Sequence, residues 1–479
     1  MTRCNDLAVA VSALFPSAAD RTRIDKFLGS ELELAMARVD DSSIVPRIDL
    51  SAFRAELHET FNFDKPLPLD WLLRWTIDRM EHGIVQMTHR RYFGLFNPAP
   101  SFPAQCADRI TSAFNPQLAS SASSPVPVEL EKHLIRAVAH RAGLAAGATG
   151  HFANGGSEAN YTSLLCALTA AHPRFAAGGA RAFSGPPVFY ASRECHIAWL
   201  KIAHQAGIGR DALRLVGTDG HGRIDPKALI DVINKDRATG AIPVMVVATA
   251  GTTGGGMIDP LTACAEIAAS RGLWYHVDAA WGGAAIASDR LRGLLAGIER
   301  ADSITIDAHK WFATTMGCAM FITTRGPILS EAFHASTSFM PSSVADLDPY
   351  LNSIQWSRRF LGLRLFLSLA AAGWAGYAAH VERSVDVIAR VKARLVATGW
   401  SIINDSPLAV LDAVPPAVLG DVRALVRRVV ATGRAWVAPA TFEGRDVVRI
   451  CATSGETTLP DVDELVAVLN AAKQGSIAA

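Results

Sequence analysis

The stretch Ser303-Ile-Thr-Ile-Asp-Ala-His-Lys-Trp311 decides the fold. Its first half is a β-branched apolar run, and the run ends by delivering His309 and Lys310. Upstream, Leu273-Trp-Tyr-His-Val-Asp-Ala-Ala-Trp281 is built the same way and ends in Asp278. Two short strands, continuous in apolar residues and tipped with charge at their carboxyl ends, predict a parallel sheet covered on both faces. Further runs of this kind are Pro187 to Ser192, Pro243 to Gly251 and Cys318 to Thr324, with helical segments between them. The alternation predicts an α/β fold with a mostly parallel sheet, in which ligands bind beyond the carboxyl ends of the strands.

Working outward, residues 1 to 84 read as a helical arm, in which Pro66 and Pro68 close one segment; with little core of its own, the arm is expected to pack on another subunit. Residues 85–355 form the large α/β domain and residues 356–479 a smaller α+β domain. The latter has strands expected at Trp400 to Ile403, Ala409 to Asp412 and Val447 to Cys451, and a terminal helix at Leu459 to Ala472. The chain has 479 residues, half of them hydrophobic, and 46 basic against 45 acidic residues. That balance offers no field to recruit nucleic acid or an anionic membrane, so a small molecule is the expected partner. Seven cysteines, odd in number and without a CxxC pair, argue against a disulfide framework or a metal site and fit a cytoplasmic protein. The apolar stretch from Leu7 to Phe15 follows Asp6 and precedes charged helical sequence, unlike a signal peptide. Phe360 to Ala379 contains Arg364 and reads as a buried or interface helix, not a membrane span.

Five motifs lie just past strand ends. Lys310 sits where a charged amine is costly unless it is bonded, and imine formation with an aldehyde cofactor resolves that cost. The Asp278 carboxylate can pair with a protonated ring nitrogen and keep that ring an electron sink, or can simply cap a helix. Ala280 is small enough for a flat ring to pack on. Asn154-Gly-Gly-Ser-Glu-Ala159 opens a helix, and Gly155, Gly156 and Ser157 suit a phosphate there, the alternative being Ser157 as an ordinary N-cap. His196, in Ala191-Ser-Arg-Glu-Cys-His196, is placed to stack on a ring or move protons, although a lone histidine is more often structural. Thr249-Ala-Gly-Thr-Thr253 offers hydroxyls to a ring oxygen or to its own turn.

In chain order these motifs resemble the group II decarboxylases that depend on pyridoxal 5′-phosphate, the family of aromatic amino acid, glutamate and histidine decarboxylases. The resemblance runs from about Thr88 to beyond Arg359. It implies the aspartate aminotransferase-like architecture called fold type I, a homodimer with shared active sites, and loss of the α-carboxylate of an amino acid as carbon dioxide. It also implies that Lys310 holds pyridoxal 5′-phosphate as a Schiff base and Asp278 pairs with its ring nitrogen. His196 and Ala280 then flank the ring, Gly155, Gly156, Ser157 and His309 surround the phosphate, and Thr253 lies near the ring hydroxyl. Two departures stand out. Phe339 aligns with a tyrosine to which relatives attribute the returning proton, as in plant aldehyde synthases that decarboxylate and deaminate oxidatively. Asp307 stands where relatives often carry Asn, beside the expected phosphate. Tyr92-Phe-Gly-Leu-Phe-Asn-Pro98 resembles the segment lining the substrate pocket, with Leu95 and Phe96 at contact positions, favouring an aromatic or apolar amino acid. Arg358 and Arg359 are candidates to read a carboxylate or to form structural ion pairs. A non-catalytic nucleotide-binding α/β protein using the loop Gly251 to Gly256 is the competing class, but no GxGxxG or P-loop motif supports it.

Overall fold

The computed structural model describes residues 11–335, 348–416 and 421–473. Helices Ala18–Arg38, Leu50–Thr60 and Leu69–Gly83 form the amino-terminal arm, which ends where the large sheet's covering helices begin. Local chemistry starts these helices: the Ser17 hydroxyl accepts the Asp20 N–H and the Asp49 carboxylate accepts those of Ser51 and Ala52.

The large sheet has seven strands: β1 Thr149–Ala153, β2 Pro187–Ser192, β3 Leu213–Val216, β4 Ile242–Thr249, β5 Trp274–Asp278, β6 Ser303–Asp307 and β7 Ala319–Thr323. Their order is β1-β7-β6-β5-β4-β2-β3. Pairs among β2 to β6 are parallel, and β7 runs antiparallel to both β1 and β6. Every residue of β2, β5, β6 and β7 is buried, which is why these strands read as unbroken apolar runs. The pleat divides β4 between two cores. Val246 and Ala248 pack with helices Pro125–Arg141, Pro226–Ala238 and Leu261–Arg271, while Met245 and Val247 pack with helix Gly156–Ala171 on the other face.

A second sheet, of order β10-β11-β9-β8, is antiparallel: β8 Ser401–Ile402, β9 Val410–Val414, β10 Ala438–Phe442 and β11 Arg445–Cys451. It packs beside the long helix Leu363–Ala397, which is broken at Gly373, and the final helix Leu459–Lys473. No described helix is long and apolar enough to cross a membrane. Strands expected from the sequence appear within two residues of their predicted ends, and β1, β3 and β10 are additional. The glycine in β1 has a structural reason: a Cβ on Gly150 would stand 1.9 Å from the Phe321 carbonyl oxygen across the β1–β7 pair.

Candidate active site

The charged tips of β5 and β6 meet because the strands are neighbours: Asp278 is paired with Thr305, and the Asp307 N–H donates to the Ala280 carbonyl at 2.8 Å. Asp278 is buried, and burial of a bare carboxylate is costly. Three donors meet that cost. Asn160 Nδ2 donates to Oδ2 at 2.8 Å, Trp199 Nε1 donates to the same oxygen at 3.3 Å, and the Ala280 N–H donates to Oδ1 at 3.2 Å. The chain of contacts continues inward. His276 Nε2 lies 3.1 Å from Asn160 Oδ1, and its Nδ1 lies 2.8 Å from Ser303 Oγ, which also accepts from Trp274 Nε1 at 2.9 Å. Burial pushes the His276 pKa down to about 4, so the ring is neutral and can only relay orientation.

Lys310 sits one turn past β6, its N–H bonded to the Asp307 carbonyl at 3.1 Å. Its Nζ lies 2.9 Å from Asp307 Oδ2, with the side chain 21% exposed, so the amine faces an accessible space while its counter-ion is buried. His309 Nε2 lies 3.8 Å from the same Asp307 oxygen, and burial holds its pKa below the ordinary histidine value. His196, half-buried beyond β2, has its pKa lowered chiefly by burial; Asp278 and Asp307 oppose that shift and Lys310 adds to it. One imidazole thus lies within electrostatic reach of both strand tips. His196 Nδ1 accepts the Ala198 N–H at 3.1 Å, so in the neutral ring the hydrogen is on Nε2.

Helix Gly156–Ala171 points its amino terminus at this cluster. Gly155 is the N-cap, and no side chain caps the helix, so Ser157 is not the N-cap of the alternative reading; it lies exposed in the first turn. A Cβ on Gly156 would stand 2.9 Å from Asp307 Oδ2, and one on Gly155 would reach 4.0 Å from His309 Cε1. The first helical turn therefore lies beside His309 and Asp307, and its N–H groups are the kind of donors that a phosphate uses. A buried carboxylate at one end, an amine on the adjacent strand and a glycine-lined helix terminus fit a ring aldehyde that carries a phosphate.

Other positions behave differently. Ala280 is half-buried next to Asp278. Thr253 is exposed, whereas its neighbour Thr252 is buried and accepts the Met257 N–H. Phe96 is core: it is 5% exposed and stacks on Trp281 at 4.3 Å, while Leu95 is 43% exposed. Arg358 is committed to Glu131 at 2.7 Å in a buried pair, and Arg359 to Asp108 at 3.2 Å, so both take the structural role. Phe339 lies outside the described residues. The loop Gly251 to Gly256 packs on Trp281 and Phe442.

Two sets of residues escaped the sequence reading. Asn160, Trp199 and His276 hold Asp278; Asn160 and His276 lie in or beside quoted motifs, but their partners are far apart in the chain. Arg449 is the other. It is buried, its Nη1 donates to the Gly94 carbonyl at 2.8 Å, its guanidinium stacks over Phe96 at 4.4 Å, and Nε and Nη2 have no partner.

The chain is similar to the "Acidic amino acid decarboxylase GADL1" of Mus musculus, 33% identical over 311 residues, covering 63% of this chain. It spans only 56% of that relative's length. It is also similar to the "Aromatic-L-amino-acid decarboxylase" of Bacillus atrophaeus, 26% identical over 402 residues, covering 81% of this chain and 82% of the other. The crystal structure of mouse CSAD superposes with a TM-score of 0.89 at 24% identity, over 95% of this chain and 99% of that one, which establishes the fold type I architecture. Residues 55–407 match the sequence model of the pyridoxal-dependent decarboxylase conserved domain. The chain accordingly belongs to the pyridoxal-dependent decarboxylase family.

Proposed function

We propose that this chain, loaded with pyridoxal 5′-phosphate, removes the α-carboxylate of an L-amino acid as carbon dioxide and releases the amine. The observation that carries the reading is the adjacency of the β5 and β6 tips, with Lys310 paired to Asp307 and Asp307 lying against Gly156 at the amino terminus of helix Gly156–Ala171. When bound, the cofactor supplies an electron sink for the pair left behind by the departing carboxylate. The residues do the rest. Lys310 anchors the aldehyde carbon, and Asp278, fixed by Asn160 and Trp199, holds a proton on the ring nitrogen. Gly155, Gly156, Ser157 and His309 would hold the phosphate, and Ala280 and His196 would lie against the ring. Thr253 is assigned to the ring hydroxyl side from the motif alone. His196, neutral with its hydrogen on Nε2, is a donor at the reacting face.

Leu95, exposed next to the buried Phe96, supports a substrate with an apolar or aromatic side chain. A second reading, an acidic side chain, is in keeping with the printed name of the mouse relative. Phe339, in place of a proton-donating tyrosine, favours an aldehyde as an alternative product. We also propose a homodimer, supported by the exposed apolar side chains Leu32, Leu34, Met36, Trp71 and Met80 on the arm. A cytoplasmic location is supported by the free thiols at Cys106, Cys166, Cys195, Cys264, Cys318 and Cys451. The three-part division at residues 84 and 355 is proposed on the same footing.

The test is to incubate the loaded protein with aromatic, apolar and acidic amino acids while following carbon dioxide, amine, aldehyde and peroxide together. Carbon dioxide with an equal yield of amine is expected from an aromatic or apolar substrate. Carbon dioxide with aldehyde and peroxide would replace the product, turnover of acidic substrates alone would replace the pocket reading, and a keto acid without carbon dioxide would overturn the reaction.

A further inference from the structure

The carboxylate of Asp307 sits where the cofactor's phosphate is expected. It is 2% exposed and lies against Gly156, whose added Cβ would meet both carboxylate oxygens at 2.9 and 3.0 Å. The N–H groups of that first helical turn are the anion-binding feature of the site, so the carboxylate and a bound phosphate share a few ångströms of low-dielectric space. Oδ2 is 2.9 Å from Lys310 Nζ, and Oδ1 has no hydrogen-bond partner. Among the described residues, the one charged amine or guanidinium in contact with Asp307 is the amine that the cofactor takes.

Other charged groups do not compensate. Those that act with or on Asp307 are His309 and Lys310 from its own turn, His196 beyond β2 and Cys318 before β7; Asp278 acts on His196, and Arg364 from helix Leu363–Ala397 on His309 and Cys318. Arg364 is spent on Asp108 and on the carbonyls of Met316 and Gly317. His309 and His196 are both held toward the neutral form by burial.

We propose that Asp307 makes cofactor retention proton-dependent: the phosphate is held with one proton shared between it and the Asp307 carboxylate, so affinity for pyridoxal 5′-phosphate weakens as pH rises. This rests on the cofactor assignment of the site. An amide at position 307 donates a hydrogen bond to the phosphate without needing a proton, which makes Asp307→Asn the informative change.

Dissociation constants of pyridoxal 5′-phosphate and of pyridoxal, which lacks the phosphate, are to be measured by visible absorbance on the full chain and on Asp307→Asn from about pH 6 to about pH 9. Asp307→Asn is expected to bind pyridoxal 5′-phosphate about tenfold tighter near pH 8, the gain shrinking toward pH 6 by up to about tenfold per pH unit, the limit for one linked proton. Because Asp307 also touches Lys310, pyridoxal affinity reports the change in the amine itself, and the phosphate-specific gain is read as the ratio of the two affinities. Equal or weaker phosphate-ester binding by the variant, or a gain that does not change with pH, overturns the proposal. Should the variant not fold, the unaltered chain decides: its preference for the phosphate ester over pyridoxal must fall with rising pH, and a flat or rising preference overturns the proposal. No visible band from either compound on the unaltered chain would instead sink the cofactor assignment, and this proposal with it.

Discussion

Asp278 is only as useful as the groups that hold it. Asn160 gives its carboxylate the shortest donor, at 2.8 Å, and is itself fixed by His276. A hydrogen bond to a charged group contributes about 1.5–3 kcal/mol, so Asn160→Ala is expected to lower kcat by roughly tenfold to a hundredfold. Steady-state kinetics on the cofactor-saturated variant checks this, and an unchanged kcat would show that Trp199 and Ala280 suffice. His196 makes a pH prediction. Burial and Lys310 hold its pKa below the usual 6.5, so the ring stays neutral at pH 7 and gains its proton only in more acidic solution. Acidification is therefore expected to cost activity only below about pH 6.5 through this group, a limb that His196→Gln removes from the pH–rate profile. At this scale Lys310 and Asp278 stood out in the sequence because each stands at or just past the end of an apolar strand, where a charge is costly unless it is bonded. Asn160, Trp199 and Arg449 were not legible, because each owes its role to a partner 79 or more positions away.

Among the elements, the buried strands were the legible part. Strands such as β2 and β4 are apolar on both faces, so burial writes them plainly into composition. β1 was hidden by Gly150, which reads as a turn residue but serves the close approach to β7, and β10 by Pro439. The segment after the large sheet is tied back to helix Pro125–Arg141 by the Arg358–Glu131 pair, both members of which are buried. Burial raises the Glu131 pKa, and Arg358 opposes that shift, so removing the arginine strands a buried acid. Arg358→Ala is expected to destabilise the fold by about 3–5 kcal/mol, read as a lower midpoint in denaturant. A loss well under 1 kcal/mol would mean the pair is already protonated or hydrated.

For the whole molecule, the arm is the part least explained by a single chain. Its helices bury almost nothing: only Ala35 is buried among the residues of Ala18–Arg38, and none in Leu50–Thr60 or Leu69–Gly83. Apolar side chains left in that state are stabilised by a partner surface. Sedimentation is expected to show a dimer at micromolar concentration, and the double change Leu32→Glu with Met36→Glu to shift it toward monomer; a monomeric parent chain would remove the dimer from the account.

The claim that Lys310 and Asp278 face one cofactor is tested most directly at Lys310. Borohydride reduction of the protein loaded with pyridoxal 5′-phosphate, followed by peptide mass spectrometry, is predicted to find the reduced adduct on the peptide containing Lys310 and to find none in Lys310→Ala. An adduct confined to any other lysine would contradict the account.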